Sequence, residues 1–585
     1  MAKKNPISIL FPDREGIVYR NISDASWHDL GLDSICDKLT QKVTERSVIA
    51  SVMRAMTDDP FVAAYRAGVF NDIMKYPDLR TQMMELLSHV QFLNDYGNFK
   101  KDHDMRTGVW ELLHRLSELD DYIKCVEQIR ECLEKFEITS EGLKTLHDHI
   151  DMIYQDSLFA ELKQDIAALK ADTDNLKSIT VGINLNRNFQ VDSIGLISVN
   201  KKEFKSSGIL SSFSEAVTTR NGLKDDEKWD GHMRFHPVDN SSADFSGGNT
   251  MKLGALYAAA RVPLLTPLLA STLVTPPDND PAQYVTRFFD KEVSGMLNLM
   301  TRRLEQVLSK YVNFSIGNIA DLIPEFMFYI RWAEYIEKLK EKGYEFCTPV
   351  VMNEEQANSE RSMQAVGLYN LKLAAVGEMP FKDIVKNDLD FSKEHTLYLL
   401  TGANRGGKTT ITQAIGLIYV LAQGGISVPC RRFEFIPADC IYTHYPADED
   451  KTMDLGRLGE ECSRFKALFD ACTDKSLLLL NETFSTTSFE EGYFIAKDAI
   501  RAILTKGART VYNTHMHKLA LEIDELNAGI ERAQAASLVA VSTAGLRSFK
   551  MKTAPPEGRS YAEDIAVRYG VTFEQLTASE KSSEE

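Results

Sequence analysis

Residues 397–410 combine an apolar run with glycines, a lysine and threonines at the spacing of a phosphate-binding loop. The segment GANRGGKT (402–409) fits the pattern G-x-x-x-x-G-K-[ST] in full. An apolar run precedes it, and a helical pattern follows from Ile411 to about Gln423. Glycines let backbone N–H groups approach phosphates closely, and a helix N-terminus adds partial positive charge. We therefore expect ATP and Mg²⁺ to bind here, with Lys408 on the β- and γ-phosphates and Thr409 on Mg²⁺. The predicted contact residues are Gly402, Ala403, Asn404, Arg405, Gly406, Gly407, Lys408, Thr409 and Thr410.

A second apolar run, 476–480, ends in Asn481 and Glu482. ATPases with this loop usually carry Asp-Glu there, where the Asp holds a Mg²⁺-bound water and the Glu acts as general base. The amide of Asn481 can accept a hydrogen bond from such a water but supplies no negative charge. We predict retained nucleotide binding with weaker Mg²⁺ binding or slower hydrolysis, and harmless variation at Asn481 stays open. His515, which ends the run TVYNTH, is predicted to contact the γ-phosphate.

Helices and strands must position these residues, and the sequence pattern changes between helical and strand-like spacing along the chain. Residues 35–136 and 141–178 show helical spacing, with one break expected near Asp156. Alternating residues from Ile179 onward indicate strands, residues 221–250 read as a polar loop, and a second helical stripe covers 289–311. Two long helices that flank a small strand-bearing segment predict an arm with a tip. From about Pro380, short β-rich runs alternate with helical patterns, which predicts an α/β domain with a mostly parallel sheet.

Charge, cysteine spacing and apolar runs argue against several classes of protein and site. The formal net charge is −17, which argues against coating nucleic acid through bulk positive charge. Eight cysteines form no CxxC pair, and His232 and His236 stand four apart in a stretch without helical pattern, so no zinc site is expected. No run of about 18 uncharged apolar residues or signal-peptide core is present, which predicts a cytoplasmic protein.

Together the segments TGANRGGKTT, LLLLNETFSTTSFEEG, NTHMHKL and GRSYAEDIAVRYGV resemble the ATPase domain of the MutS family of DNA mismatch repair proteins. The family loop reads much like TGPNMGGKST, its acidic strand like DEIGRGTS, and a Thr-His pair follows. Residues 176–204 are similar to the family's passage from lever helix into clamp domain. The resemblance implies a dimer in which the signature segment of one subunit reaches the nucleotide of the other. In this chain Gly456 stands where the family has a serine, Arg457 is a candidate helper, and Glu461 matches the family Glu.

The predicted fold is multidomain: a mainly α-helical core and lever with a small β-containing clamp-like segment, followed by an α/β P-loop ATPase domain of the ABC type. The expected boundaries are a lead-in at 1–34, core and outgoing lever at 35–178, the clamp-like segment at 179–284, returning lever helices at 285–345, a linker and the start of the ATPase sheet at 346–394, and the ATPase domain at 395–585. Because the helical pattern starts by about residue 35, we expect no N-terminal mismatch-reading domain of the family's type. Because the sequence ends shortly after the ATPase segment, we also expect no C-terminal nuclease domain.

The sequence thus predicts a nucleotide-gated homodimer that binds and slowly hydrolyses ATP and contacts DNA in repair or recombination. Lys201, Lys202 and Lys205 at the predicted tip are the candidate DNA contacts, although three lysines in an acidic protein are also typical of a solvated face. The alternative is an ATP-driven conformational scaffold whose partner is a protein, which the acidic composition also allows.

Overall fold

The fold is known from a computed structural model, which describes residues 7–86, 109–173, 178–185, 187–188, 191–200, 234–237, 298–311, 321–353, 361–402, 405–446, 456–543, 546–555, 567 and 569–576. The chain divides into two compact units. The first unit comprises residues 1–84, 132–148 and 321–585, and the second unit comprises residues 85–131 and 149–320.

The helices of the described residues are α1 (Asp24–Asp29), α2 (Leu32–Leu39), α3 (Val43–Arg54), α4 (Pro60–Lys75), α5 (Val109–Glu134), α6 (Glu141–Gln155), α7 (Ser157–Thr173), α8 (Asn298–Leu308), α9 (Ile323–Glu341), α10 (Leu371–Ala375), α11 (Lys408–Gln423), α12 (Arg457–Ala471), α13 (Phe489–Lys506), α14 (His517–Leu521) and α15 (Ile523–Asn527). Short 3-10 turns lie at Ser309–Tyr311 and Phe381–Asp383. The strands are β1 (Arg20–Asn21), β2 (Ala55–Met56), β3 (Ser178–Leu185), β4 (Val191–Asn200), β5 (Arg234–Pro237), β6 (Val350–Val351), β7 (Arg361–Leu368), β8 (Asn387–Ser392), β9 (Leu397–Thr401), β10 (Arg432–Phe435), β11 (Ile441–His444), β12 (Leu477–Asn481), β13 (Arg509–Asn513), β14 (Ala535–Thr543) and β15 (Leu546–Thr553).

A six-stranded sheet forms the centre of the first unit, in the order β11-β12-β13-β9-β14-β15. The first five strands in this order run parallel, and β15 pairs antiparallel with β14. Every residue of β9, β12 and β13 is buried. Strands buried along their whole length are expected where both faces of a parallel sheet are covered. The predicted mostly parallel α/β sheet is confirmed, and it brings the carboxyl ends of β9, β12 and β13 to one edge.

Helix α11 lies against this sheet and is buried along most of its length. A Cβ at Gly416 would come within 2.4 Å of a methyl carbon of Leu30 and 2.7 Å of one of Leu479, so the helix is clamped between the sheet and the turn between α1 and α2. The sequence predicts an irregular or short-strand lead-in for the first 34 residues. Strand β1 fits this prediction, but the prediction is wrong at Asp24–Asp29, which form α1. Helix α1 has only six residues, too few to display a helical period, and the side chain of Ser23 caps it by accepting from Ser26 N.

A four-stranded sheet, in the order β6-β10-β7-β8, was not predicted as a separate layer. Strand β10 pairs parallel with β6 and antiparallel with β7, which pairs antiparallel with β8. Residues 346–394, predicted as a linker and the start of the ATPase sheet, thus supply three strands of this second sheet. The sequence did not reveal it because its fourth strand, β10, follows α11.

The second unit contains the three-stranded antiparallel sheet β3-β4-β5, which confirms the strand signals read after Ile179. The break near Asp156 is also confirmed, since α6 ends at Gln155 and the Asp156 carboxylate accepts from Leu158 N at 2.8 Å to start α7. The loop predicted for 221–250 is wrong at Arg234–Pro237, which form β5 opposite β4. That pairing partner is distant in the chain, so local polarity concealed the strand. Within the described helices, none has the length and apolar character needed to cross a membrane.

Candidate functional site

A cavity of about 430 Å³ opens where the predicted phosphate loop meets the carboxyl ends of β12 and β13. One side is built by the loop and the first turn of α11, and the other by the segment that leads from β7 through α10 to β8. The residues that line it are Leu368, Tyr369, Asn370, Leu373, Met379, Asp383, Val385, Asn387, Arg405, Gly406, Gly407, Lys408, Thr409, Thr410, Ile411, Glu482, Asn513 and Phe549. The structure therefore brings the loop and Glu482 together around one space.

The loop uses backbone conformations that favour glycine. Gly402 has φ +133°, and a Cβ there would lie 2.8 Å from the Cβ of Ala540. Gly407 caps the N-terminus of α11 at φ +87°, where no bulkier residue sits comfortably. Arg405 also adopts a left-handed φ, +58°, which is uncommon for a residue with a side chain and clusters at ligand sites. The predicted contacts Ala403 and Asn404 lie outside the described residues.

Lys408 and Thr409 begin α11, and each side chain makes one hydrogen bond that ties the helix to its surroundings. The Lys408 ammonium donates to the carbonyl oxygen of Gly402 at 2.9 Å, and its side chain is buried. Burial lowers the pKa of Lys408, and the nearby Glu482 carboxylate partly opposes this. The Thr409 hydroxyl donates to Oδ1 of Asn481 at 3.2 Å, which links the loop to the end of β12.

Glu482 and His515 form a pair at the edge of the cavity. Nε2 of His515 lies 2.8 Å from Oε1 of Glu482, and this hydrogen bond lowers the pKa of the Glu482 carboxyl below its usual value, against the opposing effect of burial. The Glu482 backbone is left-handed at φ +53°, and its N–H donates to the carbonyl oxygen of Asn513 at 2.8 Å. The result is an ionised carboxylate with a fixed orientation, which is what a general base requires.

The signature segment begins α12, away from this cavity. Gly456 precedes the helix without a side-chain cap, and both it and Arg457 are exposed. A Cβ at Gly456 would meet no atom of the described residues within 4 Å. Neither residue is among those that line the cavity in the described part of the chain. Glu461 points inward instead: its carboxylate accepts from Phe484 N at 2.7 Å and from the Thr486 hydroxyl. It thereby ties α12 to the loop that follows Glu482.

Several cavity residues escaped the sequence analysis. Asn370 donates to the carbonyl oxygen of Thr410 at 2.8 Å, and Asn387 accepts from Met551 N at 2.8 Å while it donates to the carbonyl oxygen of Phe549. These asparagines fix the wall opposite the loop. Their sequence surroundings match no motif, so only the second sheet reveals their place. Asn513 was detectable in principle, because it ends the strand before His515.

The lysines proposed for DNA contact, Lys201, Lys202 and Lys205, lie outside the described residues, so their role stays a prediction. The same is true of most of the segment GRSYAEDIAVRYGV, of which the structure describes Val567 and 569–571.

Two family models match the chain. The model described as MutS domain V matches residues 398–567, and the model described as MutS2 N-terminal domain matches residues 58–342. The first covers the parallel sheet and the cavity residues from the loop onward. The second covers the helical region and the strands of the second unit.

Curated relatives agree with both models. The chain is 30% identical over 231 residues to the DNA mismatch repair protein MutS of Chlorobium phaeovibrioides, an alignment that covers 39% of this chain and 26% of the relative. It is 36% identical over 140 residues to the protein of the same name from Desulforamulus reducens, covering 24% and 16%. It is 27% identical over 198 residues to the Endonuclease MutS2 of Thermus thermophilus, covering 34% and 26%. The chain thus spans about a quarter or less of the length of these relatives.

Proposed function

The chain belongs to the MutS family, and on that premise we propose that it binds and hydrolyses ATP with Mg²⁺ and binds DNA as a nucleotide-gated dimer in repair or recombination. The observation that carries the nucleotide part is the convergence of Lys408, Thr409 and Glu482 on one cavity. Two segments distant in sequence supply these groups: Lys408 and Thr409 give a phosphate-binding amine and a metal-binding hydroxyl, and Glu482 gives a base. A cavity of this kind serves phosphoryl transfer better than any other reaction class.

The residues present fit a Mg²⁺–nucleotide. The left-handed backbone at Arg405 and Gly407 is suited to turning N–H groups toward an anion, and Lys408 lies buried beside them. Thr409 offers its oxygen lone pairs, since its proton is directed at Asn481. Bound Mg²⁺ would neutralise charge on the β- and γ-phosphates. The remaining wall, from Tyr369 to Asn387 and Phe549, has the mixed apolar and amide character that suits a nucleoside.

Hydrolysis is assigned to the Glu482–His515 pair. Glu482 is held ionised and oriented by His515, so it can accept a proton from a water that attacks the γ-phosphate. Asn481 leaves this site without the carboxylate that ATPases of this type usually place beside the metal. We therefore propose slow turnover with nucleotide binding retained.

Dimerisation would complete the site from outside. The N-terminus of α12 is exposed at Gly456 and Arg457, and its partial positive charge suits a phosphate on a second copy. ATP would then favour one arrangement of the two subunits over another, and this shift would open or close the pair around DNA. The lysines at 201, 202 and 205 are the proposed contacts with the DNA backbone.

The first experiment measures binding of a fluorescent ATP analogue to wild type, Lys408→Met and Lys466→Met. Lys466 is exposed and pairs with Asp470 on α12, so its variant is a matched control. We expect Lys408→Met to weaken binding by at least about tenfold and Lys466→Met to leave it unchanged. Equal binding by all three proteins contradicts the assigned site.

The second experiment titrates salt against binding to duplex, mismatched and branched DNA, with and without ATP. Backbone contacts predict an affinity that falls with salt, and nucleotide gating predicts that ATP changes the dissociation rate. If no DNA form binds at low salt, the DNA assignment is wrong, and a protein partner becomes the better explanation of the ATP-driven movement.

A further inference from the structure

Two asparagine side chains meet beside the cavity, and one of them, Asn513, lines it. Asn481 ends β12 and Asn513 ends β13, and the two residues are direct partners in the parallel ladder. Nδ2 of Asn513 donates a hydrogen bond to Oδ1 of Asn481. The same Oδ1 also accepts from the Thr409 hydroxyl at 3.2 Å. A carbonyl oxygen has two lone pairs, so the acceptor capacity of the Asn481 amide is already used.

The oxygen of Asn513 is in the opposite situation. Asn513 is fully buried and lines the cavity, and its Oδ1 has no hydrogen-bond partner among the described residues. A buried acceptor left unsatisfied costs about 1–3 kcal/mol, which is why such groups in native proteins usually serve a ligand or a water. The sequence motif assigns no role to Asn513.

We propose that Asn513 is a positioning residue of the ATP site. Its Oδ1 accepts a hydrogen bond from a water of the hydrated Mg²⁺ that enters with ATP, while its Nδ2 holds Asn481 in the orientation that receives the Thr409 hydroxyl. The inference rests on the proposed function. It assigns to two amides, Asn481 and Asn513, the task of holding Mg²⁺-bound water that one Asp carboxylate usually performs in ATPases with this loop. Mg²⁺ keeps several of its waters when it binds to proteins, so an acceptor for one of them is chemically required.

The charges around the cavity support this division. Among the residues that line it, the acidic ones are Asp383, which belongs to the far wall, and Glu482, which His515 already engages. The two side chains next to Thr409, Asn481 and Asn513, are therefore uncharged, and the amide dipole of Asn513 binds the metal-bound water. A neutral hydrogen bond is worth less than a charged one, so the dependence of nucleotide affinity on Mg²⁺ should be modest in the wild type and easily increased.

The test is calorimetric binding of a non-hydrolysable ATP analogue in Mg²⁺ and in EDTA, a readout that needs no turnover. Asn513→Leu removes the acceptor and also the amide that donates to Asn481, and we expect about fivefold weaker binding in Mg²⁺ with no change in EDTA, the value of the lost hydrogen bond to the metal-bound water. Asn513→Asp keeps the size of the side chain and places a charge at the acceptor; because it also removes the donor to Asn481, the Asn481 amide has to turn its own Nδ2 toward the new carboxylate. We expect it to bind about tenfold more tightly in Mg²⁺ and more weakly in EDTA, where the carboxylate faces the phosphates unscreened.

Asn387→Asp is the matched control, because Asn387 is also a buried amide that lines the cavity but has its Oδ1 satisfied by Met551 N. Its effect should be equal in the two buffers. The inference is overturned if Asn513→Leu weakens binding equally in both buffers, or if Asn513→Asp weakens binding in Mg²⁺. Should the leucine variant fail to fold, the aspartate variant alone decides. Wild-type protein that binds no nucleotide in either buffer overturns the proposed function and this inference together.

Discussion

Replacing Glu461 by alanine should lower the stability of the loop that follows strand β12 and contains Phe484 and Thr486. The Glu461 side chain is 6% exposed, and its carboxylate accepts from Phe484 N at 2.7 Å and from the Thr486 hydroxyl. Phe484 lies two residues after Glu482 and has a left-handed φ of +63°, a conformation that needs support from its surroundings. Without the carboxylate, this support is lost and a buried N–H has no acceptor.

The magnitude follows from the two contacts. A hydrogen bond to a charged group contributes about 1.5–3 kcal/mol, and the removal of the buried carboxylate also relieves its own desolvation. We expect Glu461→Ala to lower the local stability of the loop by about 2–4 kcal/mol. Glu461→Gln keeps one carbonyl oxygen for Phe484 N, and the Thr486 hydroxyl can accept from the new amide. The loss should then be about 1 kcal/mol.

Hydrogen exchange read by mass spectrometry measures this directly. Deuterium uptake in peptides that cover 482–488 should be faster in Glu461→Ala, intermediate in Glu461→Gln and unchanged in Glu460→Ala, a neighbour in the first turn of α12. ATP turnover should fall most in Glu461→Ala, less in Glu461→Gln and not in Glu460→Ala, because this loop holds Glu482. If the alanine variant and wild type exchange alike over this segment, the buried carboxylate does not hold the loop and the reasoning is refuted.

Three further predictions concern separate parts of the chain. Gly456→Ser is expected to change stability by less than about 0.5 kcal/mol, because a Cβ there meets no atom of the described residues within 4 Å. It should raise turnover if the proposed dimer brings the new hydroxyl to the nucleotide of the second subunit, and unchanged turnover would argue against that contact. Glu482→Gln should lower turnover about 100-fold or more with nucleotide affinity retained, and Asn481→Asp should raise it; single-turnover kinetics decide whether either expectation fails. Burial raises the pKa of Glu45, but hydrogen bonds, above all from Arg331, outweigh it and lower the pKa to about 2 from 4.5. The ionised Glu45 carboxylate should stabilise the folded protein fully above about pH 4.5, and this stabilisation should disappear as pH falls toward 2. The melting temperature of Glu45→Gln should therefore lie below that of wild type at pH 6 and converge with it in acid.

The sequence predicted much of the site because the relevant signals are local. The loop pattern, the apolar run before it and the helix after it form one continuous segment, and the role predicted for each residue follows from its spacing to Lys408. The runs before Glu482 and His515 are short, rich in apolar or β-branched residues and fully buried, so their strand character and their common sheet edge could be expected from parallel topology. The break at Asp156 was legible because the helical stripe loses its period there.

Other features could not be read in this way. Helix α1 is too short for periodicity, and its place against α11 depends on Leu30 filling the space that Gly416 leaves open. Strand β5 is polar by local composition and exists through its pairing with β4. The second sheet joins β10 to strands that precede the loop, which no local pattern can indicate.

By itself the sequence indicated the family, the pattern of a phosphate-binding loop and the chemical types at the strand ends, because these follow from residue identity and spacing within single segments. Only the tertiary structure decided which groups are already partnered. Asn481 looked like an acceptor in reserve, yet its oxygen is shared by Thr409 and Asn513, and the free acceptor is the oxygen of Asn513. Hydrogen-bond capacity is settled by which side chains meet across neighbouring strands and helices, and that meeting depends on packing between segments far apart in the chain.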